Sequence, residues 1–389
     1  MPSPAHSPAS AAVLDDRLDW LLLTQTPGLG REAQRRLLAA FGAPSAVLRA
    51  DPPAWAEVVG PAAAAALGAR PDDTLALAER TLRWLEEAPG QRHLLPLGHP
   101  DYPRELLNTA DPPVLLHAQG QLHWLQAPGV AVVGSRHASA QGLDLARDFA
   151  RALGAAGVTV VSGLALGIDG AAHQGALESG GGTVAVVGTG LDRVYPARHR
   201  ALAHRIQDQG LLLSEFPLGA PPRPEHFPSR NRIIAGMSLG TLVVEAAPKS
   251  GSLITARLAG ECGREVWAIP GSVLSPQSRG CHQLIREGAA LVEEPHEVLD
   301  ALRALHGGLA LPACAARSDD EAATPPSGGA AAQDDPLLGA MGYDPVTVDA
   351  LAARSGWPMD RLLARLLTLE LEGQLARLPG GLLQRRGRG

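Results

Sequence analysis

The sequence predicts an α/β protein built on a doubly wound, largely parallel sheet, with a helical domain before it and a winged helix after it. Three observations carry this. Between 129 and 270, short β-branched runs alternate with helical patterns: Val130–Val133, Val158–Val161, Thr183–Val187, Leu211–Ser214, Thr241–Glu245 and Glu265–Ile269. Such runs, bounded by Gly and separated by helices, build parallel sheets. Residues 15–85 read as helical, broken at Gly28-Leu29-Gly30, Gly42-Ala43-Pro44 and Gly60-Pro61. Beyond 337, helical periodicity returns and is followed by two short apolar runs around Pro379-Gly380-Gly381.

The elements follow in order. Residues 1–12 are Ser, Pro, Ala and His and read as a disordered tail. Residues 13–90 form the helical domain. Within it, Thr26-Pro27-Gly28-Leu29-Gly30 with Ala33, Leu37, Leu38 and Phe41 fits a helix-hairpin-helix, and Val58-Val59-Gly60-Pro61 fits a degenerate second copy. Such pairs either hold a phosphate on Gly N–H groups or only pack helices. Residues 90–125 carry scattered apolar residues among prolines. The sheet region spans 91–306. Residues 307–336 are Ala, Gly, Pro, Ser and Asp, a flexible linker composition that cannot bury enough surface to order itself. In 337–389 one helix starts at Val346. Asp360 caps a second helix, which ends at Gly373, and Leu375–Leu378 with Leu382–Gln384 make a hairpin: a winged helix.

The net charge is −6, distributed by region as −3 (1–90), −1 (91–306), −4 (307–336) and +2 (337–389). Bulk basicity is excluded as a binding mechanism, so nucleic acid must meet a local cluster. Of 34 basic residues 33 are Arg, a skew that suits phosphate forks but also follows from a G+C-rich genome. The three cysteines show neither metal spacing nor a disulfide framework, which suits a reducing cytoplasm. No signal peptide and no membrane span are read.

Four stretches carry candidate chemistry. Val133-Gly134-Ser135-Arg136 ends a strand and leads to a helix near Gly142–Leu153, where N–H groups and a helix terminus point at an anion and Arg136 adds a fork. The turns Ser162-Gly163 and Ser250-Gly251-Ser252 follow other strands and fit the same crevice, although Ser250 or Ser252 also fits a helix cap. Phe227-Pro228-Ser229-Arg230-Asn231-Arg232 joins cations to a ring in a chain with 3% aromatics, a combination that suits single strands. The same arginines also suit pairing with Glu245 or Asp169. Asp169 and His173, four apart, read as structural hydrogen bonding, with no metal centre. No catalytic triad is legible and nothing demands an enzyme.

Together these strings resemble the DNA-processing protein A family, DprA, also called Smf. The resemblance rests on Tyr102-Pro103 with Leu106, Pro112–Leu115, Val133–Arg136, Ser162–Asp169 with His173, and Gly188–Asp192 with Tyr195-Pro196. It continues through Ser214-Glu215, Phe227–Arg232, Ser250–Thr255, Pro270-Gly271 and Gly280-Cys281 with Leu284-Ile285 and Gly288-Ala289. It covers about 100–295 densely. It implies an extended Rossmann-like core that forms a homodimer, with an N-terminal SAM/helix-hairpin-helix-like domain. It implies no catalysis and no cofactor, but single-stranded DNA binding in natural transformation and recombination, loading of the RecA recombinase, and work beside single-strand-binding protein. The family's DNA pocket falls on Gly134, Ser135, Arg136 and Phe227. Where the family often has Lys, three residues before the Phe, this chain has Pro224. Arg223 is one residue away and His226 adjoins the Phe, so Arg223 joins the candidate set. His199 stands where the family usually has Asn, which puts local contacts there in doubt. The alternative is a nucleotide phosphoribohydrolase-like enzyme with Arg136 on phosphate and Glu245 as acid–base; its P-G-G-x-G-T-x-x-E string is absent.

Overall fold

Short runs of largely apolar residues have no polar face to give to water, so a sheet made from them must be covered on both sides. The computed structural model describes residues 8–69, 71–305, 335–378 and 380–386. Its helices and strands, in chain order, are α1 (Pro8–Gln25), α2 (Arg31–Phe41), α3 (Pro44–Arg49), α4 (Pro52–Val59), α5 (Pro61–Ala69), α6 (Asp72–Glu87), β1 (Arg92–Pro96), β2 (Leu115–Gly120), β3 (Gly129–Val133), α7 (Ala140–Ala155), β4 (Thr159–Ser162), α8 (Ile168–Glu178), β5 (Thr183–Val186), α9 (Arg200–Gln209), β6 (Leu211–Ser214), α10 (His226–Met237), β7 (Gly240–Val243), α11 (Gly251–Glu261), β8 (Glu265–Ala268), α12 (Arg279–Arg286), β9 (Ala290–Leu291), α13 (Pro295–Leu305), α14 (Pro336–Met341), β10 (Val346–Thr347), α15 (Val348–Ser355), α16 (Met359–Leu371), β11 (Leu375–Leu378) and β12 (Leu382–Arg385).

The chain divides into two units. The first comprises 1–127 and 184–237. Its strand order is β1-β2-β6-β5. β1 with β2 and β2 with β6 run antiparallel, and β5 with β6 runs parallel. The antiparallel pair β1 and β2 occupies 90–125, where no strand is legible among the prolines. In the helical part, Leu23, Leu29, Leu37, Val47, Trp55 and Leu67 share one core.

The second unit comprises 128–183 and 238–389. Its order β4-β3-β7-β8-β9 is parallel throughout. Every residue of β3, β4 and β7 is buried. Phe149 and Leu153 of α7, Trp267 of β8 and Leu299 and Leu302 of α13 pack on Val130, Val132 and Val160. Fully burying each such side chain contributes roughly 1.5–3 kcal/mol.

The fold class is as the sequence predicts: mixed α/β, parallel-dominant and Rossmann-like, with a winged helix. The six predicted strands are found within two residues of their expected ends; β1, β2 and the two-residue β9 are additional. The winged helix has its own core of Leu337, Leu351, Leu362, Leu366 and Leu383 and the sheet order β10-β12-β11. α15 starts at Val348, because Val346 and Thr347 pair with Leu383 and Leu382. Thr347, through its hydroxyl to Ala350 N at 3.2 Å, caps it. Asp360 does not cap α16: Pro358 holds that position and Asp360 sits in the first turn. The expected tail 1–12 falls outside the described residues up to 7, and α1 begins inside it at Pro8. The expected linker lies outside the described residues up to 334. Among the described residues no helix is long and apolar enough to cross a membrane.

Candidate nucleic-acid interface

In the second unit, β3 ends at Val133 and the chain turns through Gly134-Ser135-Arg136. Ser135 N donates to Glu245 O at 2.7 Å, and Ser135 O accepts from Ile168 N at 3.2 Å. These bonds pin the turn between the ends of β7 and α8. A Cβ on Gly134 would lie 2.6 Å from Ile168 Cγ1 and 2.8 Å from Glu245 O, so only Gly fits. Gly167 approaches as closely from the other side: with φ +78°, its Cβ would fall on Ser135 O. Ser135 is buried, whereas Arg136 and His137 are exposed. The packing therefore fixes the backbone that carries the exposed Arg136.

The neighbouring turn is spent on structure. Ser162, in the candidate set, is fully buried and its hydroxyl donates to Val132 O at 2.7 Å, a contact within the sheet. The Asp169 carboxylate accepts from Gly163 N (3.1 Å) and Ala165 N (3.3 Å). These bonds hold Leu164 at φ +58°, a conformation a non-Gly residue keeps only when its surroundings impose it. His173 completes the lock. Thr183 Oγ1 donates to Val160 O, so its oxygen accepts from His173 Nδ1 at 2.7 Å, and Nε2 accepts from Leu164 N at 3.3 Å. Asp169 and His173 thus do the structural work the sequence suggests.

The amino end of α7, expected to offer N–H groups to an anion, already has partners. Ser139 N and Oγ donate to Glu245 at 2.9 and 2.5 Å. Gly142 N donates to Ser139 Oγ at 3.0 Å, and Ala140 N to Gln384 Oε1 at 2.8 Å. Burial pushes the Glu245 carboxyl above its usual range, and the Ser139 bonds offset only part of that. Ser250 caps α11 by accepting from Ser252 N at 3.3 Å; Ser252 is buried and Gly251 exposed. Lys249 and Ser250 also border an open groove with Arg257 and Arg264.

In the first unit, the string 227–232 forms the first turns of α10. Both of its arginines are engaged within the protein, the second of the two readings the sequence allows, but with other partners than expected. Arg230 is 4% exposed and donates to Val186 O at 3.1 Å. Arg232 pairs with Glu215 and with Asp111 (3.2 Å) and donates to Asp111 O at 2.6 Å; its carboxylates are therefore these two, not Glu245 or Asp169. Arg31 reaches the same carboxylates at 3.0 and 3.1 Å, and Arg35 pairs with Asp111. Three guanidiniums on two carboxylates tie α2 to this part of the unit. Leu29 of the Gly28-Leu29-Gly30 turn is buried among Leu37, Trp55 and Leu67.

What remains outward in this unit is Arg223, exposed, with Asn231 and Phe227 half-buried. Phe227 lies 5.7 Å from the exposed ring of Tyr195, and His226 stacks on Phe216 at 4.0 Å. His226 Nδ1 bonds Gly188 O at 3.0 Å. Four rings gather here in a chain with 3% aromatics, a surface fit for base stacking. Tyr195 joins the candidate residues only in the structure. Its signal was rarity, one of three tyrosines, but only the fold brings position 195 to position 227.

The family model for DNA recombination-mediator protein A matches residues 93–303, and that for the DprA winged helix domain matches 321–381. Protein Smf of Escherichia coli is 46% identical over 310 residues, 79% of this chain and 81% of that protein. DNA processing protein DprA of Streptococcus pneumoniae is 50% identical over 198 residues, 51% of this chain and 70% of that one. The X-ray structure of the Streptococcus pneumoniae protein superposes with a TM-score of 0.59 at 36% identity, covering 76% of this chain and 98% of that one. DNA processing protein A from Helicobacter pylori, solved for its single-stranded DNA binding mode, gives 0.50 at 29% identity, covering 55% and 95%.

Proposed function

The chain belongs to the DNA recombination-mediator protein A family, and from that premise we propose that it binds single-stranded DNA without strong sequence preference and loads a RecA-type recombinase onto it during transformation and recombination. The carrying observation is family membership across 93–303, joined to the single-strand binding of the Helicobacter pylori relative. Within this chain, Arg136 on its pinned turn supports the reading as a phosphate contact, with Gly134 and Ser135 shaping that turn and Gly163 the neighbouring one. Phe227 with Tyr195 supports base stacking. Arg223, in place of the family's Lys, supplies a second exposed cation, and Asn231, Ser250, Gly251 and Ser252 supply polar contacts. Arg230 and Arg232 hold the scaffold instead. The protein acts as a cytoplasmic homodimer, beside single-strand-binding protein, and not as an enzyme. The phosphoribohydrolase alternative needs Glu245 poised on a substrate, and that carboxylate is instead bound by Ser139.

Affinity for a single-stranded oligonucleotide and a blunt duplex across a salt series tests this, with nucleotide hydrolysis assayed beside it. Tighter single-strand binding is expected, with a log–log slope of about −0.7 for each phosphate neutralised. Equal affinity for duplex, or release of free base, would overturn it.

A further inference from the structure

The winged helix is seated on α7 by two polar contacts. Gln384 of β12 is 2% exposed, and both ends of its side-chain amide are bonded. Oε1 accepts from Ala140 N at 2.8 Å and from Gln141 N at 3.4 Å, and Nε2 donates to Tyr343 O at 2.9 Å. Two residues on, Arg386 forks onto Asp144, with Nε at 3.0 Å and Nη2 at 2.6 Å. Asp144 is one turn along α7 from Ala140, so both contacts fall on one stripe of that helix. A buried amide costs free energy unless both its donor and its acceptor are used. This one is satisfied by bridging Tyr343 of the winged helix to α7 of the core. The Arg386 pair is partly exposed and adds orientation more than energy.

The seat lies where the function is proposed to act. Ala140 follows Arg136 by four residues. An incoming phosphate favours a helix amino terminus, where N–H groups and the dipole point outward. Here Gln384 already occupies two of those N–H groups.

We propose that the winged helix is a latch: seated, it closes the amino end of α7, and a DNA strand lying on the 134–136 turn must displace it. The proposal rests on the single-strand reading above. A protein whose competent state is only a fraction of the population binds weaker by that fraction. Unseating the latch therefore tightens binding, whereas a winged helix that serves as a second DNA grip would weaken it when disturbed.

The test uses the full chain and an oligothymidylate. Arg386→Asp breaks the fork and adds negative charge, so electrostatics alone would weaken binding. The latch requires binding roughly 3–10-fold tighter. Asp144→Arg with Arg386→Asp restores the pair with its signs exchanged, and affinity returns to that of the unaltered chain. Amide hydrogen exchange at Ala140 and Gln141, without DNA, reads the seat directly: faster in Arg386→Asp, slow again in the exchanged pair. Unchanged exchange would overturn the seat, and faster exchange with equal or weaker DNA binding would overturn the competition. If the unaltered chain bound no oligothymidylate while exchange behaved as expected, the single-strand reading would have failed and the competition with it, leaving only the docking.

Discussion

Two arginines of the same chemistry sit in opposite settings. Arg136 is exposed on a turn whose backbone is held by Glu245 and Ile168. Its replacement by Ala should weaken single-strand binding, flatten the salt slope by about 0.7, and leave the melting temperature nearly unchanged. Arg232 is bound between Asp111 and Glu215. Arg232→Ala removes one of three guanidiniums from carboxylates that Arg31 and Arg35 still pair, so it should lower stability by less than the about 3–5 kcal/mol of a buried charge left without any partner. Chemical denaturation and anisotropy measured on both variants should show opposite patterns. Phe227 sits between these cases, half-buried beside Tyr195. Phe227→Ala should cost about 1–3 kcal/mol of binding and less stability than the 3–5 kcal/mol of a fully buried Phe. A loss confined to stability would make the ring a packing residue.

At the level of elements, α7 shows how a helix end is claimed. Ser139 both caps it and holds Glu245. Ser139→Ala should lower stability by about 1–2 kcal/mol, the usual cost of a lost cap, read as a shifted urea midpoint. β2 carries the counterpart for pH. His117 points from that strand into the first unit and is fully buried, and desolvation lowers its pKa to about 4. In the unfolded chain it titrates near 6.5. Between those values the unfolded state holds a proton that the folded state refuses, so stability is present above pH 6.5 and is lost as the pH falls toward 4. The full loss is about 3 kcal/mol. Urea midpoints from pH 7 to 4 should fall accordingly, and His117→Leu should flatten that slope whatever it does to stability at pH 7.

For the whole molecule, the proposed single-strand contacts all lie between 134 and 252, and the winged helix contributes only a +2 excess. Proteolytic removal of the region beyond 306 should therefore leave single-strand affinity intact or raised. A fall of more than tenfold, or 1.4 kcal/mol, would make the winged helix a DNA-binding element in its own right and contradict the latch as well. Its helix α16 agrees with a minor DNA role: Arg365 is paired with Asp335 and Glu372, and Arg361 lies over the Trp357 ring at 4.4 Å.

The sequence by itself determined the α/β class, six strands, the winged helix and the Gly134-Ser135-Arg136 turn. Each is written locally, in β-branched runs, helical periodicity or a close approach only Gly allows. β1 and β2 were not legible, because Pro96, Pro103, Pro112 and Pro113 crowd their segment and their pairing is with distant strands such as β6. The duties of Arg230 and Arg232 were decided only by tertiary structure. A guanidinium fits a phosphate or a carboxylate equally well, and the nearness of Asp111 to Arg232 is set by packing across 121 positions of chain. The same holds for Tyr195 beside Phe227 and for Gln384 on α7, since a long-range contact leaves no period or spacing in the sequence that makes it.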